Sequence, residues 1–328
     1  MERVWVLIHE HADGTWGAGG QMFRYADLVA LAKGGLTTKD SEEPRMGDVP
    51  FYRPLPAGLP DVDADVATSV ETFESTDRVE GPWGPMQHGG AIASLLGRAL
   101  DRCEQRPDTR LARITVELLG PVPIADVRVS TRVLRPGRRI QLLGAELEAQ
   151  MPEGGWRRVA SGSAWRLATQ DTADVNRDAA PSRPLPAPET AGLLDYVLPV
   201  SWRQGGFGGA LDWRVSHQGH APGEPTLLWA DLTCQLVEGE EPTPLERLLA
   251  VADTANGVGA RLDPHHFLFL NTDLTVHLHQ PPAGRWFGVE AETSVGTDGI
   301  ATSSAVLHSA TGPVGRVDQS VLVERRPS

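Results

Sequence analysis

An aspartate lies in an otherwise apolar helical pattern, where a folded protein normally has another hydrophobic residue. The segment reads LERLLAVADTANG from Leu245 to Gly257. On a 3.6-residue period, Leu245, Leu249 and Asp253 share one edge of the predicted helix, so Asp253 is expected to face inward. A buried carboxylate is costly unless it is hydrogen-bonded, protonated or used in chemistry, such as taking a proton from water. The alternative is an aspartate that caps or bridges to a nearby backbone amide.

A glycine pair precedes a second predicted helix. The stretch GPWGPMQHGGAIASLLGRALDRC places Gly89 and Gly90 where a helix begins, because its apolar spacing starts at Ile92. The first amides of a helix have no intrahelical acceptor, and glycines allow a ligand oxygen to approach them closely. These amides could therefore hold an oxyanion. The alternative is an ordinary turn before a helix.

Three arginines share one turn-like joint, RPGRR, at Arg135, Arg138 and Arg139. They could bind phosphates, and a charged hairpin tip is the alternative. The glycine-rich stretch GGFGG at residues 205–209 lacks the Lys and Ser/Thr of a phosphate-binding loop. The chain also has neither a GxSxG elbow nor an HExxH pair. Together with the missing phosphate-binding loop, this leaves no support for a serine hydrolase, a zinc protease or a protein that binds nucleotide triphosphates.

Strand-like runs surround both predicted helices, with turn-like joints between them, and they indicate antiparallel meanders. One run, near residues 65–76, precedes the first helix. The others are Arg113 to Leu119, Val127 to Leu134, Gln141 to Ala149, Arg157 to Leu167, Leu211 to Val215, Thr226 to Leu236, Leu274 to His279, Trp286 to Ser294, Ile300 to Leu307 and Val317 to Val323.

The two halves of the chain repeat one another. The pentapeptide Ile114 to Leu118 matches Leu274 to Leu278 at a constant shift of 160, and a shift of 153 in the helices places Leu100 opposite Asp253. We therefore expect a tandem duplication of one helix-plus-meander unit. The expected boundaries are a first domain at 46–168, a linker at 169–200 and a second domain at 201–328. Residues 1–45 are expected to be an appendage or an over-extended start.

The composition of the chain limits the classes of molecule that it is expected to bind and the compartment in which it is expected to occur. The formal net charge of the 328 residues is −13, which argues against nucleic acid and anionic membrane surfaces. The two cysteines, Cys103 and Cys234, are far apart and indicate neither a disulfide framework nor a zinc site. No apolar run approaches the roughly 20 residues of a membrane helix, and the N-terminus lacks a signal-peptide pattern. We expect a cytoplasmic protein that does not insert into membranes.

A helix wrapped by an antiparallel sheet, duplicated in one chain, resembles the double-hotdog acyl-CoA thioesterases, the TesB-like or acyl-CoA thioesterase II family. The resemblance covers roughly Phe51 to Val323. It rests on GPWGPMQHGG, VADTANG, FLNTDLTVHLHQPP and GPVGRVDQSVLV. It implies an α+β fold with a tandem double hotdog, no metal or other cofactor, and an assembly into a homodimer or higher homo-oligomer.

The resemblance also implies three residues that hold a water molecule. The helix aspartate of the family falls on Asp253 and the glutamine of its last strand falls on Gln319. Its small polar residue, Thr or Ser in the family, falls on Asn271. Thr272 is the alternative if the strand register slips by one, because alternate residues face opposite sides of a strand. Asn271 is preferred.

The predicted function is hydrolysis of an acyl-CoA to a free acid and CoA, with Asp253 activating the water. Amides near Gly89 and Gly90 would stabilise the oxyanion, and His88 would bind the carbonyl or the pantetheine arm, or simply cap the turn. The arginine cluster would contact CoA phosphates. One alternative is a non-catalytic acyl-group binding protein, which Asn271 in place of Thr favours. An enoyl-CoA hydratase is a weaker alternative, because no Asp-x-x-x-x-His pair is found on one active-site segment.

Overall fold

The computed structural model describes residues 16–18, 21–23, 49–56, 69–178, 186–193, 202 and 204–326. The chain divides into two units, residues 1–45 and 46–328. In the first unit, the described residues form an antiparallel ladder between β1 (Trp16–Ala18) and β2 (Gln21–Phe23). The remainder of the predicted N-terminal appendage lies outside the described residues.

Alternating apolar and polar residues form fourteen strands within the described residues of the second unit. They join in one sheet of order β3-β4-β6-β7-β8-β5-β13-β16-β15-β14-β11-β10-β9, with β12 also paired to β16. All ladders between these strands are antiparallel. The strands are β3 (Tyr52–Pro54), β4 (Ser69–Ser75), β5 (Thr109–Leu118), β6 (Val127–Arg135), β7 (Ile140–Gln150), β8 (Trp156–Ala168), β9 (Gly192–Leu193), β10 (Leu211–His217), β11 (Thr226–Leu232), β12 (Phe267–Asn271), β13 (Asp273–Leu278), β14 (Trp286–Val295), β15 (Ile300–Ser309) and β16 (Gly312–Arg325).

A local twofold relation joins the two halves at the middle of the sheet. Strands β5 and β13 pair there, with Thr115 directly opposite Thr275. The Thr275 hydroxyl donates to the Thr115 hydroxyl oxygen at 3.2 Å, across a sequence separation of 160. The shift found between the sequence repeats is therefore the separation of the two residues that face each other at the centre.

Helix α1 (Gly89–Arg102) is buried along most of its length, from Gly90 to Leu100. Its N-cap is His88, whose Nδ1 accepts from the Gly90 amide at 3.0 Å. At the other end the guanidinium of Arg166 donates to the carbonyl oxygens of Leu100, Asp101, Cys103 and Glu104. These donations satisfy carbonyls that a helix C-terminus leaves unpaired.

The predicted continuous helix from Leu245 to Gly257 is wrong in one respect, because it is interrupted at Asp253 and Thr254. The structure has α2 (Pro244–Ala252) and the short α3 (Ala255–Gly259). Thr243 caps α2 in a capping box with Glu246. The 3.6-residue spacing of the sequence continues through Asp253 and Thr254, so the sequence pattern alone does not predict that the helix is interrupted there.

Helices α1 and α2 pack closely against each other. A Cβ on Gly90 would lie 2.7 Å from the Ala250 carbonyl oxygen, so this approach requires glycine. The Ser94 hydroxyl donates to the Glu246 carbonyl oxygen at 2.9 Å. Core residues of both halves, among them Ile92, Leu96, Leu248 and Leu249, belong to one buried cluster.

Counting from the starts of the two helices aligns them differently from the sequence shift of 153, which places Leu100 opposite Asp253. Counted from the N-caps His88 and Thr243, the residue of α1 that corresponds to Asp253 is Arg98. Its side chain is 2 % exposed and pairs with Glu71 and Glu240. A carboxylate in the second half therefore corresponds to a guanidinium in the first.

Other differences from the predicted elements concern strand ends. The strand predicted from Thr226 to Leu236 ends at Leu232, and β12 was missed as a separate strand. The segment predicted as a linker contains β9, which pairs with β10. The strand expected from residue 65 is seen from Ser69, and residues 65–68 lie outside the described part. Within the described chain, no helix is long and apolar enough to span a membrane.

Candidate active site

Asp253 lies at the interruption between α2 and α3, in the wall of a cavity of about 710 Å³. Its side chain is 2 % exposed, so the inward orientation expected from the periodicity is observed. The lining also includes His88, Gly89, Asn271 and Thr272. The structure thus brings together the polar residues that the sequence placed far apart.

One carboxylate oxygen of Asp253 is held by two side-chain amides. Asn271 Nδ2 donates to Oδ1 at 2.9 Å, and Gln319 Nε2 donates to the same oxygen at 3.2 Å. Amide donors of this kind offset part of the cost of burying a carboxylate. Because both donors act on Oδ1, the two oxygens of the carboxylate differ in their surroundings.

The second oxygen, Oδ2, lies 3.0 Å from His88 Nδ1. The same Nδ1 lies 3.0 Å from the Gly90 amide nitrogen. A ring nitrogen cannot donate to Asp253 and accept from Gly90 at once. The two contacts therefore belong to different tautomers of the ring, because Nδ1–H donates to Asp253 whereas an unprotonated Nδ1 accepts from Gly90.

The orientation of the His88 ring is fixed by an aromatic neighbour. Phe207 stacks on it with ring centroids 3.9 Å apart and planes 6° apart. Phe207 is 1 % exposed, and a Cβ on Gly90 would lie 2.5 Å from its ring. The imidazole is therefore held between a buried ring and the start of α1.

Gly89 permits the closest approach in the site. A Cβ built on this glycine would lie 2.7 Å from Oδ2 and 2.9 Å from Oδ1 of Asp253. The carboxylate consequently sits against the first residues of α1, at the positive end of the helix dipole. Only glycine leaves space for it at this position.

Gln319 also connects the two sides of the helix interruption. Its Oε1 accepts from the Asn256 amide at 2.9 Å, and its Nε2 lies 3.3 Å from the Asp253 carbonyl oxygen. The side chain is buried, so these bonds satisfy backbone groups that water cannot reach. Gln319 thus fixes the backbone around Asp253 as well as its carboxylate.

Asn271 and Thr272 are distinguished by the strand register. Asn271 is the last residue of β12 and points to Asp253, whereas Thr272 lies outside the strands with its hydroxyl 3.4 Å from Asp273 Oδ1. The second hydrogen of the Asn271 amide is directed at the Asp273 carbonyl oxygen, at 3.3 Å. The contact with Asp253 is made by Asn271, in the preferred register.

The predicted arginine cluster lies elsewhere, around the turn from β6 to β7. Arg135 donates to the Ile140 carbonyl oxygen at 2.7 Å, and Arg138 and Arg139 are exposed. None of the three lines the cavity that contains Asp253. A role of this cluster in phosphate binding stays a prediction.

An aromatic part of the cavity wall was not predicted. Trp83 meets Trp202 edge-on at 4.7 Å and Phe269 edge-on at 5.0 Å between ring centroids. All three line the cavity. Trp83 belongs to the quoted GPWGPMQHGG motif, but its partners are far away in sequence, so no local pattern indicates the cluster.

Comparison with known proteins identifies the two halves. Residues 79–167 match the family model for the acyl-CoA thioesterase N-terminal domain, and residues 177–323 match that for the acyl-CoA thioesterase C-terminal domain. Among curated proteins, none matches significantly.

Solved structures show the same fold at low sequence identity. A hot dog fold protein of unknown function from Alicyclobacillus acidocaldarius has a TM-score of 0.60 at 15 % identity, over 80 % of this chain and 95 % of its own. The acyl-CoA thioesterase II TesB2 of Mycobacterium marinum has a TM-score of 0.57 at 14 % identity, over 78 % and 93 %. A TesB protein of Mycobacterium avium subspecies paratuberculosis has 0.55 at 15 %, over 79 % and 93 %. The predicted α+β double-hotdog fold is confirmed.

Proposed function

Because the chain belongs to the acyl-CoA thioesterase family and is a thioester hydrolase, we propose that it hydrolyses an acyl-CoA to a free acid and CoA with Asp253 as the general base. The observation that supports this most is the environment of the Asp253 carboxylate. It is buried in the cavity wall, with two amides on one oxygen and a helix N-terminus beside it. A structural aspartate would need no cavity next to it.

The asymmetry of the carboxylate supports Oδ2 as the atom that acts as the base. Oδ1 accepts from both Asn271 and Gln319, which makes it the weaker proton acceptor, whereas Oδ2 contacts His88 Nδ1 and faces the amide end of α1. In the proposed step, Oδ2 takes a proton from water while the water oxygen bonds to the thioester carbonyl carbon. Asn271 and Gln319 keep the carboxylate in place as its charge changes.

The developing oxyanion is placed at the start of α1. The amides of Gly89 and Gly90 supply donors there, in front of the positive end of the helix. When His88 Nδ1 carries a proton and contacts Asp253, the Gly90 amide is free to donate to the oxyanion. The C–S bond then breaks, and the thiolate of CoA takes up the proton that the water gave to Asp253. Atoms and charge balance as thioester plus water giving acid plus thiol.

The decisive test is thiol release from short, medium and long acyl-CoAs by the wild type and by Asp253→Asn. The asparagine keeps the shape of the side chain but cannot accept the proton. We expect a loss of at least about 100-fold in kcat, within the range that general bases contribute. Thermal unfolding should show a cooperative transition in both proteins.

The matched control is Asp174→Asn, an exposed aspartate in a short 3-10 helix away from the cavity, which removes the same charge. It should hydrolyse at the wild-type rate. Undiminished hydrolysis by Asp253→Asn would refute the mechanism. Conversion of crotonyl-CoA without CoA release would instead indicate a hydratase.

A second candidate function is acyl-group binding without hydrolysis. It is favoured by Asn271, whose side-chain amide donates a hydrogen bond directly to Asp253 and would stabilise it as a structural carboxylate. Saturable acyl-CoA binding with no thiol release, equal in the wild type and in Asp253→Asn, would establish that function instead.

A further inference from the structure

An apolar track leads away from Asp253 along the inner face of β16. Alternate residues of a strand share a face, so Gln319, Val321, Val323 and Arg325 form one row. On β12, Asn271 is paired with Val321, Phe269 with Val323, and Phe267 with Arg325. The row therefore begins at the residues that hold Asp253 and ends at a guanidinium.

The middle of the track is aromatic. Phe269 lies two residues before Asn271 on the same face of β12, about 7 Å along the strand. Trp83 and Trp202 stand edge-on to each other, and Trp83 stands edge-on to Phe269. Together with Phe267 and Val323 they pack around a small buried cluster that contains Val321. Val321 and Phe269 are nearly fully buried, so a flexible chain would instead lie against Trp83 and Trp202, which are half-buried and line the cavity that contains Asp253.

The far end of the track carries two arginines. The Arg325 guanidinium lies 5.0 Å from the Phe267 ring centroid, and that of Arg326 lies 5.3 Å from the Trp83 ring centroid. Both are exposed, and within the described residues neither has a carboxylate partner. The Arg326 amide bonds to the His266 carbonyl oxygen, which ties this end of β16 to the His265–His266 turn.

Two acidic side chains, Asp263 and Glu324, lie near these arginines in the fold or the sequence. Asp263 is bonded to other groups, and Glu324 points to the opposite face of the strand. Asp263 accepts from the His265 amide at 2.8 Å and pairs with His266 at 3.0 Å. Glu324 lies on the other face of β16 from Arg325. In a chain of net charge −13, this end of the track is a local concentration of cationic side chains.

The length of the track suits coenzyme A. From Gln319 to Arg325 the strand rises about 20 Å. The pantetheine arm has roughly 13 bonds between its sulfur and the first phosphorus, and at the advance of an extended backbone it spans about 16 Å. A guanidinium side chain covers the remaining distance. An acyl-CoA with its thioester at Asp253 therefore brings its diphosphate to Arg325 and Arg326.

We propose that Arg325 and Arg326 bind the phosphates of coenzyme A and that the pantetheine arm lies against Trp83 and Trp202, which line the cavity beside Asp253. The inference rests on the proposed function, since it assumes a CoA thioester at Asp253. Guanidinium groups bind phosphate oxygens through paired N–H donors, and the rings of Trp83 and Phe267 hold them in position.

The test compares two substrates with the same acyl group, an acyl-CoA and the corresponding S-acyl pantetheine, which lacks phosphates. In Arg325→Glu/Arg326→Glu we expect the KM for the acyl-CoA to rise by roughly tenfold or more, as two charge-assisted contacts become repulsive. The KM for S-acyl pantetheine should stay within about twofold of the wild-type value, and added salt should raise the wild-type KM for acyl-CoA only.

The matched control is Arg157→Glu/Arg177→Glu, which makes the same charge change at two exposed arginines that do not line the cavity and should leave both KM values unchanged. A rise in the acyl-CoA KM in Arg138→Glu/Arg139→Glu, and not in the β16 variant, would overturn the proposal and place the phosphates at the turn from β6 to β7. Equal rises for both substrates in the β16 variant, or no rise at all, would also overturn it.

If the wild type releases no thiol from any acyl-CoA, the proposed function fails by itself. The phosphate site is then tested by calorimetric titration with free CoA and with pantetheine. Tighter binding of CoA than of pantetheine, abolished in Arg325→Glu/Arg326→Glu, supports the site, and equal binding of the two overturns it.

Discussion

The Asp253 carboxylate is the residue on which most contacts of the site converge. Asn271 and Gln319 donate to one oxygen, His88 lies against the other, and Gly89 leaves the space in which both are held. Asn271 and Gln319 come from two different strands, and His88 and Gly89 come from the start of α1. The position of the carboxylate thus depends on contacts from β12, β16 and the start of α1.

Gly89→Ala should separate the role of carboxylate position from that of helix stability. The added Cβ would lie 2.7 Å from Asp253 Oδ2, so the carboxylate must move, and we expect kcat to fall by at least about tenfold. Alanine also favours a helix, so stability should change little. Thiol release and thermal unfolding measure the two effects.

Gly257→Ala is the matched control for that substitution. Gly257 also lines the cavity, but a Cβ there would have no atom within 4 Å. It should keep wild-type turnover. If Gly89→Ala were as active as Gly257→Ala, the close approach of Gly89 to Asp253 would have no catalytic importance.

The sequence predicted which residues meet but not how they meet. The inward orientation of Asp253 follows from helical periodicity, and its proximity to Asn271 and Gln319 follows from the family resemblance. The stacking of Phe207 on His88 and the division of donors between Oδ1 and Oδ2 depend on contacts between distant segments. No local pattern encodes such contacts.

Helix ends are the elements that organise both halves. The start of α1 faces Asp253, and the corresponding place near the start of α2 holds a cluster of ion pairs. Arg98 contacts Glu71 and Glu240, and Arg102 contacts Glu240. Because Arg98 is buried, loss of one partner leaves a charge without full compensation.

The ion-pair cluster predicts an acid-dependent loss of stability. Hydrogen bonds from Arg98, with a further contribution from Arg102, lower the pKa of Glu240 from 4.5 to about 2. A group whose pKa is lower in the folded protein stabilises it above the unfolded value and loses that effect as pH falls. Glu240 therefore stabilises the fold above about pH 4.5, and this contribution disappears towards pH 2.

Glu240→Gln should reveal this contribution in unfolding temperatures measured from pH 7 to pH 2. The wild type should be more stable than the variant above pH 5, and the difference should shrink between about pH 4.5 and pH 2. Glu153→Gln, at an exposed turn, is the control and should follow the wild type. A difference that is constant with pH would contradict the assignment to Glu240.

The sequence predicted the helices and most strands, but not the interruption of the second helix. The apolar period of α2 continues through Asp253, whereas the structure separates α2 from α3 there. The reason is tertiary, because Gln319 from β16 bonds to backbone groups on both sides of the interruption. A bond from another strand cannot be inferred from the helix itself.

At the scale of the whole molecule, the two halves of residues 46–328 depend on each other. They share the β5–β13 ladder and one buried cluster around α1 and α2. The internal repeat was predictable because two similar pentapeptides lie 160 residues apart in the sequence. The boundaries of the two domains and the homo-oligomeric assembly stay predictions.

Fragments 46–185 and 186–328 should not fold as separate monomers. Each would expose a helix face and a sheet edge that are buried in the whole chain. We expect neither fragment alone to give a cooperative unfolding transition as a monomer, and the mixture to recover a one-to-one complex with thiol-releasing activity. Circular dichroism and light scattering provide the readout. A monomeric first fragment that unfolds cooperatively would disprove this dependence.

The correspondence of Arg98 with Asp253 has a genetic consequence. In a dimer of identical subunits, one codon specifies both symmetry-related positions, so a carboxylate on one side requires a carboxylate on the other. Joining two copies in a single gene removes that constraint, and each copy can then change alone. In this chain one copy has a buried aspartate beside a cavity, and the other has a buried arginine that pairs with two glutamates. The two halves of the chain are therefore comparable to two different subunits, which are always made in equal numbers because one gene encodes both.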